Sequence, residues 1–374
     1  MKNEDALYQK IYQTLLSEIQ EGKYEHDRLP TEKELAEQFY VSRITVRNAL
    51  KKLEDNGIVI RIAGKGTFVR KARQLPGGGT RIRRRGMPLV GLVMGGYSHS
   101  FGLEIANAAI QEAEEQGIHL IVKDTGNDQA REFKILEELR ESGVNGIIVQ
   151  PAHGEIYSRW LINAVLDRYP IVLIDRFMPG IDAPFVGVDN EGLSEMATNR
   201  LLEAGHRQIS VITLEDETTS TLRARMEGFT WALNRHRIPV NRELWLTSLA
   251  RGVRDKNSAE AYEQYMVQIL RHLRAHPEIT AIFGTEYLVS QLAYNALTRD
   301  GFRVPEDYSL VGFDNGAAGL YSDLLSHVRQ PQAEMGRAAV QMICAMIRGE
   351  EPERKRCIIE GTWEQGQTIA PPRT

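Results

Sequence analysis

Three side chains in the first fifty residues are suited to reading base-pair edges. Arg43, Thr45 and Arg47 stand at alternate positions just after Ser42. An arginine can fork onto guanine, and a threonine can hydrogen-bond a base or touch a thymine methyl group. Nine cations follow with no intervening acid: Arg61, Lys65, Arg70, Lys71, Arg73, Arg81, Arg83, Arg84 and Arg85. Such a block either solvates a linker or neutralises phosphates. Residues 1–88 hold 18 Lys and Arg against 11 Asp and Glu, a net +7, and the remainder carries −11 within a chain of net charge −4.

A second set of polar residues follows short apolar runs: Tyr97-Ser98-His99 with Phe101, Asp124-Thr125, Gln150, Asp175-Arg176, Asp189-Asn190, Thr285-Glu286 and Asp314-Asn315. Carboxylates and amides pair with hydroxyls, and an aromatic face covers the apolar face of a ring, so this set suits a small polyol. For Asp189-Asn190 and Asp124, capping of the next helix is an equal reading. Asp175-Arg176 favours a ligand, because Arg176 offers a rigid fork just past an apolar strand.

Catalytic signatures are missing. Met94-Gly95-Gly96-Tyr97-Ser98-His99 is not Gly-x-Gly-x-x-Gly, and neither a Gly-x-Ser-x-Gly elbow nor His-Glu-x-x-His occurs. Gly77-Gly78-Gly79 lacks the lysine and hydroxyl of a phosphate loop. Cys344 and Cys357 have no partners at metal-like spacing. We expect no enzyme, metal or cofactor. With no apolar run of membrane-spanning length and a polar Met1-Lys2-Asn3-Glu4-Asp5 start, we expect a cytoplasmic protein away from the membrane.

The elements that must position these residues are legible. Leu7, Ile11, Leu15 and Ile19 form one stripe of a helix ending near Gly22. Thr31-Glu32-Lys33-Glu34 has the capping-box pattern and opens a second helix. Tyr40-Val41-Ser42 breaks it, and Ser42 caps a third that buries Val46, Ala49, Leu50 and Leu53 and stops at Asn56-Gly57. Ile58–Ile62, a turn at Ala63-Gly64-Lys65-Gly66 and Thr67-Phe68-Val69 make a hairpin with a cation at its tip. Residues 71–87 lack a hydrophobic period and read as a basic tether. From Pro88, continuous apolar strands alternate with helices, the pattern of parallel sheets covered on both faces, in two series and hence two lobes. Cys344 lies on one of the helices as a small core residue.

The run Leu29-Pro30-Thr31-Glu32…Leu35-Ala36…Val41-Ser42-Arg43…Thr45-Val46-Arg47…Ala49-Leu50…Leu53…Gly57…Gly64-Lys65-Gly66-Thr67-Phe68-Val69 resembles the DNA-binding pattern of the GntR family. The resemblance implies a winged helix-turn-helix (α+β) over residues 1–70. It implies DNA approach by Lys33, Arg43, Thr45, Arg47, Gly64 and Lys65, with Ser42 at the helix start. Arg43 and Thr45 would read bases, and Lys33 and Arg47 would sit on phosphates.

Residues 88–374 read as one further domain, which over about 88–365 resembles a LacI-type, periplasmic-binding-protein-like (type I) two-lobed α/β effector domain. The resemblance is carried by Gly91-Leu92-Val93, Gly146-Ile147-Ile148-Val149, Ile174-Asp175-Arg176, Gly205-His206-Arg207-Gln208-Ile209, Val311-Gly312-Phe313-Asp314 and Arg329-Gln330-Pro331. It implies effector contacts from Tyr97, Ser98, His99, Phe101, Asp175, Arg176, Arg225, Asp314 and Gln330. Two departures are Thr285-Glu286, where that family has Asn-Asp, and the Glu364-Gln365-Gly366-Gln367 tail. His206 reads as structural.

The multidomain arrangement is similar to arabinose-repressor-like regulators, a likeness that names no sugar. It implies a homodimeric repressor on palindromic operator DNA, released by a small-molecule effector, in first place a sugar. The alternative is an activator, or a repressor answering to a nucleoside or phosphorylated sugar.

Overall fold

Apolar runs after residue 88 become two mostly parallel sheets, and the short helices before residue 70 form a unit of their own. The computed structural model describes residues 11–12, 14–15, 18–19, 23–24, 29–55, 58–62, 66–69, 87–154, 157–214, 218–247, 249–250, 253, 258–314 and 324–373. Leu7, Gly22, Asn56-Gly57, the wing residues Gly64 and Lys65, residues 71–86 of the tether and Asn315 lie outside them. The chain divides into Met1–Arg81 and Ile82–Thr374.

In the first unit, α1 (Glu32–Gln38) begins with the expected capping box. Thr31 Oγ1 accepts from the Glu34 amide at 3.3 Å, and Glu34 Oε2 accepts from the Thr31 amide at 2.7 Å. Such a cap contributes about 1 kcal/mol. Tyr40, in the left-handed region at φ 53°, turns the chain. In α2 (Arg43–Asp55), Ser42 Oγ accepts from the Thr45 amide at 3.2 Å. Ile11, Leu15, Leu29, Leu35, Val46, Ala49, Leu50, Leu53 and Val59 bury one shared core. The antiparallel pair β1 (Val59–Ile62) and β2 (Gly66–Val69) forms the wing, tied back where the Leu29 amide donates to the Thr67 carbonyl at 2.9 Å.

The second unit has two lobes. The first contains β3 (Leu89–Met94), β4 (His119–Asp124), β5 (Gly146–Val149), β6 (Ile171–Ile174), β7 (Phe185–Val188) and β12 (Arg356–Ile359), all parallel, in the order β12-β7-β6-β5-β3-β4. Its helices are α3 (Leu103–Glu115), α4 (Gln129–Glu141), α5 (Arg159–Leu166) and α10 (Gln332–Arg348). The second contains β8 (Ile209–Ile212), β9 (Ala281–Gly284), β10 (Ser309–Phe313), β11 (Ser326–Arg329) and an antiparallel edge strand β13 (Thr362–Glu364), in the order β13-β11-β10-β9-β8. Its helices are α6 (Asn190–Glu203), α7 (Ser220–Arg235), α8 (Ala259–Ala275) and α9 (Tyr287–Arg299). The chain passes between lobes three times, after β7, after β11 and after β12.

Strands β5 to β10 are buried throughout, as continuous apolar runs require. The two edges differ from the expectation of sheets covered on both faces. β4 and β12 alternate, leaving Val122 and Ile358 exposed, because a margin strand has a helix over one face alone. Helices approach closely where glycine removes the side chain: a Cβ at Gly228 on α7 would stand 2.0 Å from the Glu191 carbonyl on α6, and one at Gly336 on α10 2.3 Å from that of Ile105 on α3. Cys344 is buried on α10. His206 is structural, its ring bonded to Thr280 Oγ1, Ser309 Oγ and the Ala370 carbonyl.

Candidate effector cleft and nucleic-acid interface

In open parallel sheets, ligands bind beyond the carboxyl ends of strands. Here those ends hold a connected polar network. Gln150, after β5, accepts from the Gly95 amide at 3.0 Å and donates to Asp175 Oδ2 at 2.7 Å. Arg176 follows Asp175 beyond β6; its Nη1 donates to Asn127 Oδ1 at 2.8 Å and the Pro151 carbonyl at 3.1 Å. Its Nη2 lies 3.2 Å from His153 Nε2. Since a guanidinium only donates, Nε2 must accept. The ring proton of neutral His153 is then on Nδ1, which donates 3.0 Å across to Thr219 Oγ1, the N-cap residue of α7 in the other lobe.

The second lobe answers with Arg225, Asp314 and Gln330. Phe229, Phe283 and Phe313 pack as a buried aromatic chain, with centroids 5.5 Å and 6.1 Å apart. The Arg225 guanidinium lies over Phe313 at 3.9 Å, held by Asn190 Oδ1 at 2.7 Å and the Thr285 carbonyl at 2.6 Å. Gln330 Nε2 donates to Asp314 Oδ2 at 2.7 Å. Asp175 and Asp314, one per lobe, both take left-handed backbone at φ 64° and 59°, a conformation that Asp tolerates better than most residues.

Charges from both lobes act on one another. Burial pushes the Asp314 carboxyl up to about 7, against the pull of Arg225 and Gln330, and Asp175 pushes the same way. Burial lowers Arg176, opposed by Asp175 and Glu286. Glu132, buried on α4 where it accepts from the Ala152 amide at 2.6 Å, is raised to about 7 by burial.

Four buried polar side-chain atoms have no hydrogen-bond partner among the described residues: Arg176 Nε, Ser220 Oγ, Asp314 Oδ1 and Gln330 Oε1. They belong to two lobes and to four separate chain segments. Leaving such atoms unpaired costs about 1–3 kcal/mol each. They offer a donor, two acceptors and a hydroxyl capable of either role.

Several candidates take other positions than expected. The Tyr97 hydroxyl donates to the Lys123 carbonyl at 3.0 Å and lies 3.3 Å from that of Leu92, so it braces β3 and β4. Ser98 receives the Phe101 amide at 3.2 Å, and Phe101 packs on the core. Ser98 and His99 are exposed and are not joined to the network. Asp189 and Asp124 serve local turns, accepting from Gly192 N at 3.0 Å and Gly126 N at 2.7 Å. Thr285 contributes its carbonyl, and its hydroxyl donates to the Ile212 carbonyl at 3.3 Å. Asn127, His153, Thr219 and Ser220 went unnoticed in the sequence; only their places just after strands, or at the start of a helix, pointed to them. No group of His, Cys, Asp or Glu able to hold a metal occurs among the described residues.

On the first unit, Lys33, Ser42, Arg43 and Arg47 are exposed. Arg47 is paired with Glu32 of α1, Nη2 to Oε2 at 2.9 Å, which raises its pKa. Lys33 stands 4.0 Å from Glu37. Thr45, expected to read a base, is 7% exposed, and its hydroxyl shares a 2.8 Å hydrogen bond with Ser42 Oγ. The 100° step of the helix turns it sideways, next to buried Val46.

Fold and site together define a bacterial transcription regulator, a winged helix-turn-helix on a two-lobed ligand-binding domain. Residues 7–69 match "Bacterial regulatory proteins, gntR family" and residues 198–369 match "Periplasmic binding protein-like domain". The chain is 30% identical over 345 residues to an arabinose metabolism transcriptional repressor of Geobacillus stearothermophilus, covering 91% of each protein. It is 26% identical to one of the same name in Halalkalibacterium halodurans, covering 94% of this chain and 92% of that protein. The crystal structure of transcription regulator CcpA of Lactococcus lactis superposes with TM-score 0.66 at 20% identity, over 76% of this chain and 99% of that one. The chain belongs to the GntR family of bacterial regulators, in the group that carries a periplasmic-binding-protein-like domain. It is a DNA-binding transcriptional repressor with a small-molecule effector.

Proposed function

We propose that the effector is an uncharged sugar held between the lobes, and that its binding releases a homodimer from a palindromic operator in the cytoplasm, without catalysis. The carrying observation is the set of four buried polar atoms, contributed by both lobes, that have no hydrogen-bond partner among the described residues, Arg176 Nε having only the Asp175 carboxylate at 3.7 Å. Hydroxyl groups, each a donor and an acceptor, match Asp314 Oδ1, Gln330 Oε1, Arg176 Nε and Ser220 Oγ in one molecule. A phosphorylated sugar fits less well, because the carboxylates of Asp175, Asp314 and Glu286 stand around both guanidinium groups. Two relatives named for arabinose metabolism support a sugar, with pentoses first.

In this reading Asp175, Arg176, Arg225, Asp314 and Gln330 hold the sugar, with Phe101, Ser98 and His99 at its margin. Arg43 reads a base, Lys33, Arg47 and Ser42 position the helix, and Gly64 and Lys65 carry the wing to the backbone. A two-fold dimer matches two half-sites. Closure of the lobes need supply a coupling of only about 1–3 kcal/mol. No helix among the described residues is long and apolar enough to cross a membrane. The test is fluorescence anisotropy on DNA from upstream of the protein's own gene, titrated with pentoses, hexoses, disaccharides, their phosphates and nucleosides. Release by an unphosphorylated sugar supports the proposal; release by a phosphate ester or nucleoside alone refutes the effector class.

A further inference from the structure

Two large apolar side chains are exposed among the described residues of the DNA-binding unit, Tyr40 at 95% and Ile44 at 69%. Tyr40 belongs to the turn, where its left-handed backbone throws the ring outward. Ile44 is different. It is the second residue of α2, and the helical step puts it opposite the buried Val46, Ala49, Leu50 and Leu53. It therefore tops the outward ridge of the helix, away from the core that the described residues of its unit bury.

Its setting is cationic. Arg43 precedes it, exposed and without a hydrogen bond or ion pair among the described residues, and exposed Arg47 follows one turn later beside Glu32. An aliphatic side chain flanked by two guanidinium groups is complementary to the floor of a major groove. There the phosphates lie at the rims and the thymine C5-methyl is the one apolar feature of the base edges. Thr45, the residue whose chemistry suggested methyl contact, faces sideways with its hydroxyl tied to Ser42. A β-branched side chain has few rotamers, so Ile44 presents its methyl groups already ordered.

We propose that Ile44 is a specificity-determining residue of operator recognition, reading the methyl group of one thymine in each half-site. The inference rests on the reading of this unit as a DNA binder.

The experiment enriches a binding site from a random duplex pool with the full-length protein, then replaces each thymine in turn by deoxyuridine, which removes the methyl and nothing else. For the wild-type protein, uracil at one position per half-site should weaken binding about four-fold, the worth of one buried methyl group. Ile44→Ala should bind the thymine and uracil duplexes equally well, and Ile44→Val should retain most of the discrimination. Wild-type indifference to uracil at every position overturns the proposal while leaving DNA recognition standing. So does a uracil penalty undiminished in Ile44→Ala. Failure to enrich any duplex would instead remove the DNA reading and this inference together.

Discussion

Replacing Asp314 by Asn should separate the stability of the cleft from its use. Position 314 has φ 59°, and Asn adopts that conformation as readily as Asp. The Gln330 Nε2 donor, now 2.7 Å from Asp314 Oδ2, keeps a partner if the new amide turns its oxygen that way. The amide nitrogen then stands where the unpartnered Oδ1 was, presenting a donor in place of a charged acceptor. A ligand hydroxyl that donated there loses a charge-assisted hydrogen bond worth about 1.5–3 kcal/mol, about ten- to 150-fold in affinity.

Stability should move the other way. Burial raises the carboxyl from 3.8 to about 7, and each pK unit corresponds to about 1.36 kcal/mol. Holding the ionised form in the empty cleft thus costs up to about 4 kcal/mol. Because the folded state keeps the proton longer than the unfolded one, this stabilisation is complete below about pH 4 and is lost as pH rises through about 7. Without sugar, Asp314→Asn should therefore melt above wild type at pH 8.5, with the difference closing toward pH 5. Wild-type sugar affinity should fall up to ten-fold per unit below pH 7, and that of the variant should stay flat. Calorimetric melts of the full chain, with sugar titrations across pH, measure both. A variant less stable than wild type at every pH, or one binding sugar with wild-type affinity and pH profile, would refute the reasoning.

Other perturbations are directional. Arg43→Ala should cost about 1–3 kcal/mol of operator binding and relax base preference at one position per half-site, read by anisotropy on a panel of single-base operator variants. His153→Ala and Thr219→Val each break the hydrogen bond between lobes. Each should raise the sugar concentration needed for DNA release about five- to twenty-fold, and the double variant should do no more than the single ones. In Gly228→Ala the new methyl group meets the Glu191 carbonyl at 2.0 Å. Prying α6 from α7 should cost about 1–3 kcal/mol, seen as a lower melting temperature with or without sugar.

The amino-acid sequence by itself determined the local elements. Apolar spacing at Ile11 and Leu15, the Thr31–Glu34 capping box, Ser42 at the start of α2 and the uninterrupted runs of β5 to β10 need only neighbouring residues to be read. The strand-end rule likewise pointed to Asp175, Arg176 and Asp314, because position after a buried strand is a sequence property. What the tertiary structure decided was which polar atoms already have partners. The Tyr97 hydroxyl is taken up by the Lys123 carbonyl, and the turn of α2 sets the Thr45 hydroxyl against Ser42. Arg225 acquires its place through Phe313 and Thr285, which lie 88 and 60 residues away along the chain. His153 meets Thr219 only because three chain crossings bring the two lobes face to face. Hydrogen-bond satisfaction and lobe pairing depend on contacts distant along the chain, and periodicity and local motifs carry no record of them.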